Sequence, residues 1–388
     1  MVLAALAGAA LVACGLRAVG TGESVGGPGA EADADARSDV MSDDGLDGAA
    51  PLTDGGAGSC PGRDISTDPK NCGACGHDCR GGACKAGSCQ PFRIGMLDAS
   101  ATSIAVNDSG VYWVVQSGAA VLACPADGCV GKPGVLAGSL TNTVALVDIG
   151  GTLAVLADVD LQAVTTPAGA TVAIYPPSPT TMNNSFALCT DGTGHAYLAA
   201  SSGTPFVERI VVDGGNAQRL VSSNNIDAVG CGAGHVLWEI NQGTDSIYSC
   251  EDPADCGAFA TIAPGANGGE TRIAATTEQA YFTRRQAGTL NRCSIAGCFA
   301  PTVLYSGNDL NGVAVDAKYV YFTSGKGGVV ARCEQDGCGG ASLRQLAVNQ
   351  PNPHALLVTK DAVYWATDAL PPNGSDAGTP PAIWRIGK

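Results

Sequence analysis

"PFRIGMLDASATSIAV", Pro91 to Val106, reads as the last strand of one repeat running into the first strand of the next, yet it stands ahead of every complete repeat in the chain. Its counterpart is "SLRQLAVNQPNPHALLV", Ser342 to Val358, near the other end. From residue 91 onward a short apolar strand, a polar turn and a second strand centred on an apolar pair recur: "YW" at Tyr112, "LA" at Leu153, "YL" at Tyr197, "LW" at Leu237, "YF" at Tyr281, "YF" at Tyr321 and "YW" at Tyr364. The separations are 41, 44, 40, 44, 40 and 43 residues. Each copy is long enough for four strands, and seven such copies are the signature of a propeller. After the seventh pair only about one strand remains, "AIWRIGK" at Ala382 to Lys388, so the seventh blade lacks its outermost strand. The stretch at Pro91 supplies it. The expected fold is therefore all-β: a seven-bladed β-propeller over residues 91–388, closed by residues 92–97 hydrogen-bonded to a strand near residue 384. An open solenoid would have no use for the offset.

Composition agrees with short strands and tight turns. Aromatic residues make up 5% and charged residues 15%, while glycine numbers 54. The net charge of -15 repels phosphate backbones and anionic head groups, so nucleic acid is not an expected partner. Residues 15–59 carry nine acidic side chains against two Arg and no aromatic residue. Such a segment cannot bury enough apolar surface to offset its ordering entropy, and residues 14–59 read as a disordered acidic tether.

Seventeen cysteines point to an oxidising compartment. The opening "MVLAALAGAALVAC" is too short to span a bilayer and has the length of a signal-peptide core, residues 1–13. Its "LVAC", Leu11 to Cys14, resembles the lipobox of bacterial lipoproteins, although no Lys or Arg precedes the apolar run. The resemblance implies export, lipidation of Cys14, and residence in the bacterial cell envelope at the outer membrane or cell surface. The membrane would then be reached through the lipid alone.

Residues 60–90 hold Cys60, Cys72, Cys75, Cys79, Cys84 and Cys89 with almost no hydrophobic side chain among them, so something covalent or metallic must fold them. A disulfide framework is the reading best matched by the close spacing. Zinc remains an alternative through the C-x-x-C, His77 and Cys79, although structural zinc sites usually bring a second ligand pair from farther away. A redox C-x-x-C wants a strand before it and a helix after it, which "DPKN" and the glycines do not offer. The words "TDPKNCGACGHDCRGGACKAGSC" resemble a small cysteine-rich motif of secreted and lipid-anchored bacterial proteins, similar to the stigma-specific cysteine-rich family of plants. Asp68, Asn71, Gly73, Gly76, Gly87 and the last five of the six cysteines carry that resemblance. It implies an extracellular disulfide module.

Eight further cysteines form local pairs at the turn between the third and fourth strands of a blade: Cys124 with Cys129, Cys250 with Cys256, Cys293 with Cys298, and Cys333 with Cys338. Each short loop closed this way contributes roughly 2 kcal/mol in the chain-entropy model. Cys189 and Cys231 occupy equivalent places on the first strands of blades three and four. A bridge between them requires those strands to bring the Cα atoms within about 7 Å.

No nucleophile motif, phosphate loop, calcium loop or His-Glu metal pair is present, so no catalytic residue, metal or cofactor is assigned. His195 and His235 sit at matching places beside the turn between strands one and two and read as turn-capping side chains. A ring of polar residues is the stronger signal. Eleven residues before Trp113, Ala154, Trp238, Phe282, Phe322 and Trp365 stand Thr102, Thr143, Asp227, Thr271, Asn311 and His354, and a two-residue insertion gives Ser185 in blade three. With Arg272 these make a candidate ligand-binding ring where each first strand begins, with strand-start turn chemistry as the plain alternative. Asp227 and His354 lie on nearly opposite blades, which argues against an acid-base pair. The function expected is an envelope lipoprotein presenting a propeller that binds a protein or carbohydrate; the alternative is an extracellular propeller lyase or hydrolase. Intact mass of membrane-extracted protein checks the export reading: the expected species begins at a lipid-modified Cys14, and an unmodified chain retaining residues 1–13 contradicts it.

Overall fold

The computed structural model describes residues 60–388 apart from 116–117, 141–142, 158–159, 176–185, 192–193, 201–204, 212–216, 224, 241–245, 252–255, 257–258, 264–270 and 371–377. The expected signal segment and tether, with Cys14, and Ser185 of the expected ring thus lie outside the described residues. Seven four-stranded antiparallel sheets follow one another, and their first strands are Ala101–Asn107, Thr143–Ile149, Phe186–Thr190, Ile226–Gly232, Thr271–Ala275, Leu310–Val315 and His354–Val358. Each first strand lies against those of the two neighbouring blades, and the seventh lies against the first. The ring is a closed propeller.

Closure follows the offset in the sequence. Blade seven takes three strands from the C-terminal end, His354–Val358, Ala362–Thr367 and Ala382–Gly387, and its outer strand, Phe92–Met96, from the other end. The pairing is antiparallel, with Phe92 opposite Arg385 and Met96 opposite Ala382, and a bulge between Arg93 and Gly95. Ile94 is 1% exposed there. Its carbonyl also accepts the amide of Cys129 in blade one at 2.9 Å, so the closing strand is held from both sides.

Both faces of each sheet pack against a neighbour, which is why the second strands read as apolar pairs rather than as an alternation. Trp113, Trp238, Trp365, Phe282 and Phe322 project to one face and Tyr197, Tyr281 and Tyr321 to the other, all under 2% exposed. Burial of one such side chain contributes roughly 3 kcal/mol. The first strands come closest of all. A Cβ on Gly230 would lie 2.5 Å from the Ile273 carbonyl of the next blade, so only glycine fits.

The pairs Cys124–Cys129, Cys250–Cys256, Cys293–Cys298 and Cys333–Cys338 are all bonded at the turn between third and fourth strands. Their hairpins do more than close loops: the Cys298 amide donates to Ile262 of blade four at 2.9 Å, as Cys129 does to Ile94. Cys189 and Cys231 also bond, with Cα atoms 5.8 Å apart, because first strands converge towards the axis.

In residues 60–90 three bridges form, Cys60–Cys75, Cys72–Cys84 and Cys79–Cys89, around the two-stranded ribbon Cys84–Lys85 and Ser88–Cys89. Sulfurs of Cys72, Cys79 and Cys89 lie within 4.8 Å of one another, and each is spent in a disulfide. His77 is half-buried, with Nδ1 against the Cys72 carbonyl. The module docks beneath blade seven, at the turn end opposite to where the first strands begin. Arg80 meets Asp361 at 2.8 Å, Gly387 lies under the Asp78 carbonyl, and Gly81, in the left-handed region at φ +94°, admits the Phe92 ring. The exposed ion pair is worth little. Close packing on the two glycines does the holding.

Asp316, at the first turn of blade six, ties that blade to the C-terminal residue. Burial raises its pKa, but hydrogen bonds from Lys388, from the Lys318 and Tyr319 amides and from the Tyr321 hydroxyl outweigh this and hold the carboxyl below its ordinary value. A depressed folded-state pKa stabilises above the unfolded value of about 4 and is lost as pH falls through the folded value. Asp148 is opposite in sign: burial raises it despite the hydrogen bonds from Asn107 and Gly151. Asp316→Asn should therefore lower the melting temperature at pH 7 and Asp148→Asn should raise it, with both differences shrinking in acid. Ile94→Asp, which buries an unpaired carboxylate at the closure, should cost about 3–5 kcal/mol and strip hydrogen-exchange protection from residues 382–387.

Candidate functional site

The described side chains of the expected polar ring, Thr102, Thr143, Thr271, Arg272, Asn311 and His354, are each engaged in hydrogen bonds. The Thr102 hydroxyl donates to the Val144 carbonyl of blade two at 2.9 Å, and Ser103 beside it donates to Leu146 at 2.9 Å. Asn311 donates to the Asn352 amide oxygen of blade seven at 2.9 Å. His354 places Nε2 at 2.8 Å from the Ala101 carbonyl of blade one and Nδ1 at 2.8 Å from the Asn352 carbonyl. In all three cases the bond runs from one blade to the next in the same sense. Thr271 is 2% exposed and donates to Glu239 of blade four at 2.6 Å, and Arg272 donates to the Thr271 carbonyl.

The local cause is a bulge. Where first and second strands pair, register slips between Ala101 and Ser103, between Ile226 and Ala228, and between Leu310 and Gly312, so Thr102, Asp227 and Asn311 are the extra residues. A bulge frees one residue from the ladder and re-aims it. Thr102 and Asn311 thereby turn towards the next blade; Asp227 lies on its strand, and its side chain is outside the described residues. Blade two departs from the expected register. The pairing of Thr143 with Ala157 matches that of Ala101 with Val115, which puts Val144 where blade one has Thr102. Thr143 is 1% exposed and bonds Gly118 at 3.0 Å. The "LA" pair at Leu153 sits one place early relative to "YW" at Tyr112, and a count along the chain could not detect that.

His195 meets Asp191 at 3.1 Å beside its turn, with the Tyr197 hydroxyl on the same carboxylate at 2.9 Å, whereas His235 is buried. Both stay within the turn end opposite to the ring.

Residues outside the expected ring complete the face. Asn352 donates to Asp368, Ser100 donates to the same carboxylate, and His354 Nε2 stands 3.8 Å from it. Between blades five and six a cleft of about 340 Å³ opens, lined by Arg285 to Gly288, by Gly307 to Asp309, and by Lys326. Asp309 pairs with Arg285 there. A sequence signal for this existed in part: Asp309 and Asn352 both stand two residues before a ring position, and both adopt the left-handed conformation, at φ +58° and +43° respectively.

No protein family's profile matches the chain, and no curated protein matches it. Solved structures of similar fold include the WD40 domain of Neurospora crassa Pan2, 10% identical, covering 76% of this chain and 95% of that one with a TM-score of 0.54. PorZ, an essential bacterial surface component of the type-IX secretion system of Porphyromonas gingivalis, is 12% identical over 76% of this chain and 37% of its own, at 0.53. YCF48 from Cyanidioschyzon merolae is 15% identical over 76% and 98%, at 0.52. At these identities the likeness is one of fold.

The inter-blade bonds predict their own energetic signature. Thr102→Ala and His354→Ala should each destabilise by about 1 kcal/mol, the usual net worth of one such bond, measured by denaturant unfolding. No loss in either variant would mean that these side chains do not hold the blades.

Proposed function

We propose that the chain is an exported, lipid-anchored envelope protein that presents its propeller to a protein partner on the face where the first strands begin. One observation carries this reading: the cysteine-rich module docks beneath blade seven on the opposite face. A tether entering through residue 60 then approaches from the module's side and leaves the strand-start face directed outwards. The acidic composition of residues 15–59 suits such a spacer. A rigid disulfide-braced ring also suits recognition, since little ordering entropy is lost when a preformed surface binds.

A protein is favoured over a carbohydrate because, among the described residues, no aromatic side chain lines the cleft on that face to stack on a sugar ring. Full-length protein immobilised through its lipidated end and challenged with envelope extract is the test. The expected result is a captured protein that is lost on substitutions at the strand-start face and retained on substitutions at the exposed Val130 and Phe299 of the opposite hairpins. Retention in the first set with loss in the second would reverse the assignment of faces.

A further inference from the structure

In the cleft between blades five and six, on the strand-start face, charge, shape and fixed backbone coincide. Three loops build it: the turn between the second and third strands of blade five, the connection into blade six, and the corresponding turn of blade six. They are bound to one another through the backbone, Gly307 amide to the Gly288 carbonyl at 2.8 Å and Gly325 amide to the Asp309 carbonyl at 2.7 Å. Gly288 has φ +62°, and a side chain there would run into the Gly307 carbonyl. The floor is thus bare by necessity rather than by chance.

Charge decides what fits. Arg285 is held in place by Asp309, with Nε on one carboxylate oxygen and Nη2 3.5 Å from the other, and the two side chains are 24% and 13% exposed. Lys326 reaches the same cleft, is exposed, and has no carboxylate partner among the described residues. Among the described lining residues, two cations and one anion sum to +1 in a chain whose net charge is -15. One added monoanion neutralises it. A phosphate dianion would overshoot and would face the Asp309 carboxylate. The remaining side chains, Gln286 and Asn308, are exposed amides, each able to donate to and accept from a peptide unit.

We propose that this cleft binds a carboxylate carried on a peptide segment, with Lys326 as its ion partner, the Arg285–Asp309 pair as a preset wall, and Gln286 and Asn308 along the adjoining backbone. The inference rests on the reading of the strand-start face as the binding face, and it narrows that reading to one pair of blades and one chemistry.

The test uses the full chain at low salt and pH 7, with calorimetric titration of three short peptides: acetyl-Ala-Ala with a free terminal carboxylate, acetyl-Glu-amide with a side-chain carboxylate, and acetyl-Ala-Ala-amide with neither. Glucuronate is the fourth probe. At least one acidic peptide should bind in the millimolar range, the neutral amide should not, and Lys326→Gln should weaken the acidic peptide about tenfold, since one charge pair is lost. Because Lys326 is exposed, that variant keeps the fold, which its unchanged melting temperature verifies. Equal binding of neutral and acidic peptides, no binding of either acid, tighter binding of glucuronate than of both, or an unaltered Lys326→Gln affinity would each overturn the proposal. Failure here is separable from failure of the broader reading. An envelope protein still captured by Lys326→Gln but lost on other changes to this face sinks the cleft alone, whereas peptide binding with no captured protein sinks the partner reading alone.

Discussion

Everything in the ring depends on the pairing of Phe92–Met96 with Ala382–Gly387. A propeller blade has a partner on each face, and removing one blade's outer strand would expose the edge of its third strand and uncover the neighbouring hairpin. Here the two strands come from opposite ends of the fold, so closure brings no loop-closure benefit until almost the whole chain is in place. The chain reinforces this junction from three directions. The blade-one hairpin bonds Ile94, Arg385 reaches the Ala126 carbonyl, and the cysteine-rich module packs over Gly387 and Phe92. A small coreless module that would fold poorly alone is thereby given a surface, and the junction is given a cover.

The same economy explains the disulfides. Loops closed by five or six residues contribute only a modest entropic term. Their larger effect is to fix hairpins whose backbone amides reach the outer strand of the preceding blade, at Ile94 and at Ile262. The inter-blade bridge between Cys189 and Cys231 acts at the opposite radius, near the axis, where blades four and five need glycine to approach at all.

Polar side chains on the strand-start face divide into two kinds. Those projecting from bulges, Thr102 and Asn311, are used between blades, as is His354. They position the loops but have little left to offer a ligand. Those in the connecting loops, Arg285, Asp309 and Lys326, line open space. The binding chemistry proposed for this face therefore sits one step outwards from the ring that periodicity marks, on loops held by a rigid scaffold.

The repeat period, the offset of Pro91 and the cysteine pairs determined the architecture in advance, because burial on both sheet faces and the closure of a circle leave a signature along the chain that needs no coordinates to read. The local pairing of eight cysteines was legible for the same reason: a hairpin brings near neighbours together. Three things were settled only in three dimensions. Blade two's register slipped by one place because an apolar "LA" pair carries no mark of which residue faces which neighbour. The bulges at Thr102 and Asn311 turned expected ligand groups into inter-blade bonds, since the aim of a side chain depends on backbone hydrogen bonding across strands. And the cleft joins Arg285, Asp309 and Lys326 from three loops spread over some forty residues, a juxtaposition that only the packing of blade five against blade six creates.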